Sequence, residues 1–145
     1  MTVLCALTLA GCQDKPDNAE IAVCWAPSTK EMINQLSKQI VSERIHDILV
    51  AHGVSAELSK TEQIDGSLTV ALSDFYETSV DRVSGSVRCG AQASMDFLNN
   101  KGEHLKASSN QIEFAVYQAE AGHMYSIPSR LPLVQMVSDA VASAK

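Results

Sequence analysis

RVSGSVRCGAQASMDF, residues 82–97, decides the architecture. Every odd position is small or apolar: Val83, Gly85, Val87, Cys89, Ala91, Ala93, Met95 and Phe97. The even positions Arg82, Ser84, Ser86, Arg88, Gln92, Ser94 and Asp96 are polar, and Gly90 is neutral. A period of two over this length predicts a long antiparallel strand with one dry face and one wet face. Most side chains on the dry face are small. They leave room for a bulky element to lie across the strand.

That element stands upstream. Ile33, Leu36, Ile40, Val41, Ile45, Ile48 and Leu49 are spaced as one face of a helix, and Lys30, Asn34, Lys38, Glu43 and Asp47 take the other. The pattern predicts a helix over about 29–52. Ser28 and Glu31 form a capping box at its start, and Gly53 is a stop at its end. Val54, Ala56 and Leu58 suggest a short strand, followed by a polar turn ending at Asp65-Gly66. Residues 68–73 alternate again. Residues 98–109 read as a loop. Ile112, Phe114 and Val116 mark a further strand, and Glu120-Ala121-Gly122 marks a hairpin turn. His123, Tyr125 and Ile127 form a short last strand. Leu133, Met136, Val137, Ala140 and Val141 are spaced for a closing amphipathic helix. The expected fold class is α+β: a long N-terminal helix packed across a curved antiparallel sheet of four to five strands, with a short C-terminal helix.

The 145 residues are 46% hydrophobic and 19% charged, enough apolar content for a packed core and unlike a disordered chain. The net charge of −6 argues against nucleic acid as a partner. No apolar run approaches the roughly 20 residues that a spanning helix needs.

The first twelve residues, MTVLCALTLAGC, hold a short apolar run, Val3 to Leu9, with no charge before Asp14. Leu9-Ala10-Gly11-Cys12 resembles the lipobox of bacterial lipoproteins. The absence of Lys or Arg before the apolar run departs from that pattern. The resemblance implies a signal peptide over 1–11, cleavage before Cys12, and acylation of the Cys12 thiol and of the new amine. Acyl chains contribute about 0.8 kcal/mol per CH₂ to anchoring. Gln13 in place of Asp implies the outer membrane, with the domain in the periplasm. Residues 12–22 then form a lipidated tether, rich in charge and Pro, and 23–145 a single globular domain.

The resemblance also orders the cysteines. Cleavage removes Cys5 and acylation uses Cys12, which leaves Cys24 and Cys89 as the pair for a disulfide in an oxidising compartment. The alternative is two buried free thiols. Cys89 falls on the dry face of its strand and Cys24 just before the long helix. The layout of 24–127 resembles cystatin-like and nuclear transport factor 2-like domains, and small bacterial envelope lipoproteins with such a cysteine pair.

Motifs for chemistry are sparse. No HExxH, no GxSxG elbow and no glycine-rich phosphate loop occurs. Glu43 and His46 have a helical i, i+3 spacing that a metal site could use, but a solvated Glu–His pair on the helix face is the preferred reading. His52 suits a helix C-terminus, His104 a polar loop, and His123 a strand end. No metal ligand, cofactor or catalytic residue is assigned. Residues 54–100 carry seven acids against three bases. Among them Asp74, Tyr76 and Glu77 are candidate contacts for a partner, with Phe75 or Tyr76 facing the core.

The expected function is a lipid-anchored cell-envelope protein acting as a non-catalytic protein-binding module, of inhibitor, immunity or envelope-assembly type. The rival is a small-ligand or enzymatic pocket between helix and sheet. A third expectation is a purely structural lipoprotein.

Overall fold

The computed structural model describes residues 22–55, 57 and 59–144. The expected signal peptide, Cys12 and all but the last residue of the expected tether lie outside these, as do Ala56 and Leu58.

A 3-10 turn, Val23–Trp25, leads into helix α1, Pro27–Ala51. The helix starts earlier than a Ser28 cap requires. Ala26 takes the N-cap position and no side chain caps the end. Pro27 explains this: its fixed φ and missing N–H suit the first helical position, so Ser28 falls inside the first turn. The far end stops as expected. Gly53 has φ +74°, its N–H donates to the Val50 carbonyl at 3.0 Å, and the Val54 N–H donates to the Leu49 carbonyl at 3.0 Å. That pair of bonds closes the helix with a left-handed residue, which glycine adopts without a Cβ penalty.

A short helix, α2, covers Thr61–Ser67, where the sequence suggests a polar turn. Among the described residues no strand forms at 54–59; Glu57 and Ser59 lie in turns. Helix α2 buries only Ile64, so it has no apolar period to betray it.

Four strands follow, β1 Leu68–Asp81, β2 Ser86–Leu98, β3 His104–Ala119 and β4 Gly122–Ser126, in spatial order β1-β2-β3-β4, all antiparallel. Helix α3, Leu131–Ser143, ends the fold. The α+β class, long first helix and short last helix are as expected, and the sheet has four strands.

Strand β2 begins at Ser86, not at Arg82. Residues 82–85 are the turn of the β1–β2 hairpin, and Val83 is 100% exposed rather than on the dry face. The Asp81 carboxylate makes this turn. Its Oδ1 accepts from the backbone N–H groups of Val83 at 2.9 Å and Ser84 at 3.3 Å, and its Oδ2 accepts from the Ser84 hydroxyl at 2.8 Å. Those donors hold the Asp81 carboxyl below its ordinary range, the Ser84 hydroxyl foremost. The expected loop at 98–109 contracts likewise. Asn99 Oδ1 accepts from Lys101 N and Glu103 N at 2.9 Å, and β3 starts at His104.

From Val87 onward the alternation of β2 holds: Val87, Cys89, Ala91, Ala93, Met95 and Phe97 are all buried. They share one core with Ile33, Ile40, Val41 and Ile45 of α1, Ile112, Phe114 and Val116 of β3, and Leu133, Met136, Val137 and Ala140 of α3. Cys24 and Cys89 are disulfide-bonded, with Cα atoms 5.6 Å apart and no exposure of either residue. The hydroxyls of Thr29, Ser37 and Ser42 on α1 are also buried, without a hydrogen-bond partner among the described residues.

Two outcomes follow for stability. Replacing Cys24 and Cys89 together by Ala lowers the unfolding free energy in urea by about 4 kcal/mol, the loop-closure value for this separation. Ser37→Ala removes a buried hydroxyl that bonds to nothing, and raises the same free energy by up to about 1 kcal/mol.

Candidate functional site

Both helices pack on one face of the sheet. The other face stays open: Thr69, Ala71 and Ser73 of β1, Arg88, Gln92 and Ser94 of β2, and Lys106, Ser108 and Glu113 of β3 are exposed on it. Their alternation with buried neighbours makes this face mainly polar, with Leu98, Tyr117 and Met124 as its exposed apolar members.

The candidate contacts Asp74, Tyr76 and Glu77 lie where β1 is bulged. The register between β1 and β2 shifts between Ser73 and Tyr76, and again between Glu77 and Ser79. Asp74 is exposed and has φ +51°, a left-handed conformation that a short polar side chain tolerates. The bulge sends Phe75 to the helix side. There its ring meets Phe114 edge-on at 6.0 Å, and Lys30 Nζ stands 5.2 Å from its centroid. Tyr76 pairs with Gly90 and Glu77 with Cys89. Residues directly opposite in an antiparallel pair share a face. Tyr76 is therefore on the open face and Glu77 on the helix side. The three residues form a bulged rim along the edge of the sheet and not one flat patch.

The Tyr76 ring lies directly over Gly90, in the space that a Cβ at position 90 would need. Glycine is required there for close approach, not for its backbone conformation. Half of the ring's surface role is thus structural.

The histidines are distributed. His46 Nδ1 donates to the Ser59 carbonyl at 2.6 Å, which places its proton on Nδ1. Glu43 accepts from Arg130 at 2.9 Å, tying α1 to the start of α3, and from Gln39 at 2.9 Å. The two do not converge. Among the described residues no three His, Cys, Asp or Glu side chains stand together to share a metal ion. His104 lies in β3 rather than in a loop, and the open face carries a cluster that the sequence reading missed. Asp96 accepts from His104 Nδ1 at 2.7 Å and pairs with Lys106 at 3.3 Å. The His104 hydrogen bond, more than Lys106, holds the Asp96 carboxyl below its ordinary range. Extending the β3 alternation back through Ala107 to Leu105 would have revealed it.

Two clefts flank the packed centre, one at each end. The first, about 560 Å³, lies where the described chain begins, between Ala22, Val23, Val80, Arg82, Gln118 and His123. The second, about 350 Å³ and mainly apolar, lies between Ile48, Leu49, Phe97, Leu105, Val137 and Val141. No helix among the described residues is long and apolar enough to cross a membrane. No protein-family model, no curated protein and no solved structure matches the chain.

Gly90→Ala forces the Tyr76 ring aside and lowers stability by about 1–3 kcal/mol, the usual cost of overpacking. In a Tyr76→Ala background the same substitution costs much less, as a double-mutant cycle in urea will show. His104→Ala moves the Asp96 titration midpoint upward, measured by carboxyl carbon NMR. Because the Asp96 midpoint is depressed on folding, its stabilising contribution is present at neutral pH and lost as the pH falls through that depressed value.

Proposed function

We propose that this chain is a bacterial envelope lipoprotein, held in the outer membrane by an acylated Cys12, whose periplasmic domain is a non-catalytic module that binds another protein. The observation that carries the reading is the uncovered sheet face, with Tyr76 on it, bordered by the bulged β1 edge. Such a face is polar and rigid, and holds a half-buried aromatic ring ready to be covered, the usual material of a transient protein contact. The Cys24–Cys89 bond supports an oxidising compartment. The lipobox residues support the anchor.

A second reading has one observation in its favour. The apolar cleft beside Leu49 and Val141 suits a small apolar ligand, and native mass spectrometry of the chain purified from envelopes would then carry the ligand's mass.

A photoreactive phenylalanine at position 76 separates the two. In growing cells it gives a discrete cross-linked adduct with an envelope protein, and the same probe at Val50, at the far end of α1, gives none. Absence of any adduct at 76, with a small molecule retained in the cleft, would replace the first reading by the second. Intact mass of the native chain and of Cys12→Ala reads the anchor directly: acyl chains on the native chain, none on the variant.

A further inference from the structure

The register fixes which parts of the molecule share an end. Ser86 pairs with Asp81 on one side and Tyr117 on the other. The Arg82–Gly85 turn and the β3–β4 turn therefore project from the same end of the sheet. The 3-10 turn belongs to that end too, because Ala22 and Val23 line one cleft with Arg82 and His123. This end carries large apolar side chains left exposed among the described residues: Val83 is 100% exposed, Met124 61% and Trp25 41%.

We propose that this end of the domain rests on a phospholipid surface, with Val83 and Met124 entering the acyl boundary and Trp25 at headgroup level. The inference builds on the lipid-anchor reading. The described chain begins at Ala22, at the wall of this same end. Ten residues beyond Cys12 reach no more than about 36 Å when extended. An acylated Cys12 thus tethers the domain to the bilayer through this end rather than the far one. A tethered contact is intramolecular, so a few side chains suffice for it. Val83 sits on the β1–β2 turn, Trp25 on the 3-10 turn, and Met124 on β4, opposite Tyr117 and close to the β3–β4 turn. A fluid surface closes around isolated tips, whereas a rigid protein surface would need them in one plane. Tryptophan, with an apolar ring and one N–H, suits the interfacial layer. The net charge of −6 means that this contact is apolar rather than electrostatic.

Trp25 is the chain's single tryptophan and reports on its own position. The full chain, purified from envelopes, is reconstituted with vesicles of phosphatidylethanolamine and phosphatidylglycerol containing lipids brominated near the headgroup. The proposal expects a blue shift of Trp25 emission, quenching by the brominated lipid, and protection from aqueous acrylamide. Val83→Asp and Met124→Asp each reduce the quenching at least twofold without changing emission in the absence of vesicles, and Val50→Asp leaves it unchanged. An acylated chain that floats with the vesicles while Trp25 stays unquenched overturns the proposal and leaves the anchor reading standing. A chain shown by mass to lack acyl groups, yet quenched at high lipid, supports the contact while the anchor reading falls. With neither acyl mass nor quenching, both fall. Protection of Trp25 that needs added envelope protein makes this end a protein contact and overturns the proposal.

Discussion

Cys89 stands in β2 with no exposure, and its sulfur is bonded to that of Cys24, three residues before a helix of 25 residues. That bond sets where α1 meets the sheet. Helix α1 comes closest to β1 and α3 to β3, with the buried Ala91 and Ala93 on the strand between. Once α1 crosses there, α3 has one remaining position, beside it on the same face, held by Leu133, Met136 and Val137 and by the Arg130–Glu43 pair. The opposite face of the sheet is left to solvent. The open face and the end where the chain enters follow from that cross-link and from two long helices placed on a single side of the sheet.

The parts legible in the sequence are those where one side of an element is dry. Strand β2 beyond Ser86, helix α1 and helix α3 each bury one periodic set, so the period reports the structure. The failures have local causes. Val83 and Gly85 continue the alternation of β2, but the Asp81 carboxylate captures the neighbouring N–H groups and turns the chain. The first half of β3 has Ala107 and Ser109 on its inner side, too small to register as an apolar face. Helix α2 buries a single side chain and offers no period at all.

The candidate contacts show a different limit. That Asp74, Tyr76 and Glu77 sit close together was legible, but the alternation over 68–73 leaves them beyond the strand, whereas β1 runs on to Asp81. Which side each takes was not legible, because two register shifts intervene. The place of the Tyr76 ring is decided by a missing Cβ on the neighbouring strand, a feature fourteen residues away in sequence. Similarly, Asp96, His104 and Lys106 belong to one group only because β2 and β3 pair with Asp96 opposite Lys106. Cross-strand chemistry becomes visible once the register is known, and the register depends on the turns that single polar side chains build.

The far cleft is bordered by Leu49 of α1 and by Val141 and Ala144 at the end of α3, so both long helices finish there. Neither has a basic residue in its last turn. Their peptide dipoles leave up to about half an elementary charge of negative character at each terminus, and His52 and Lys101 line the same cleft beside them. The mouth of an otherwise greasy cavity is thus polar, with the helix-end carbonyls joined by His52, Lys101 and Glu103 on its wall.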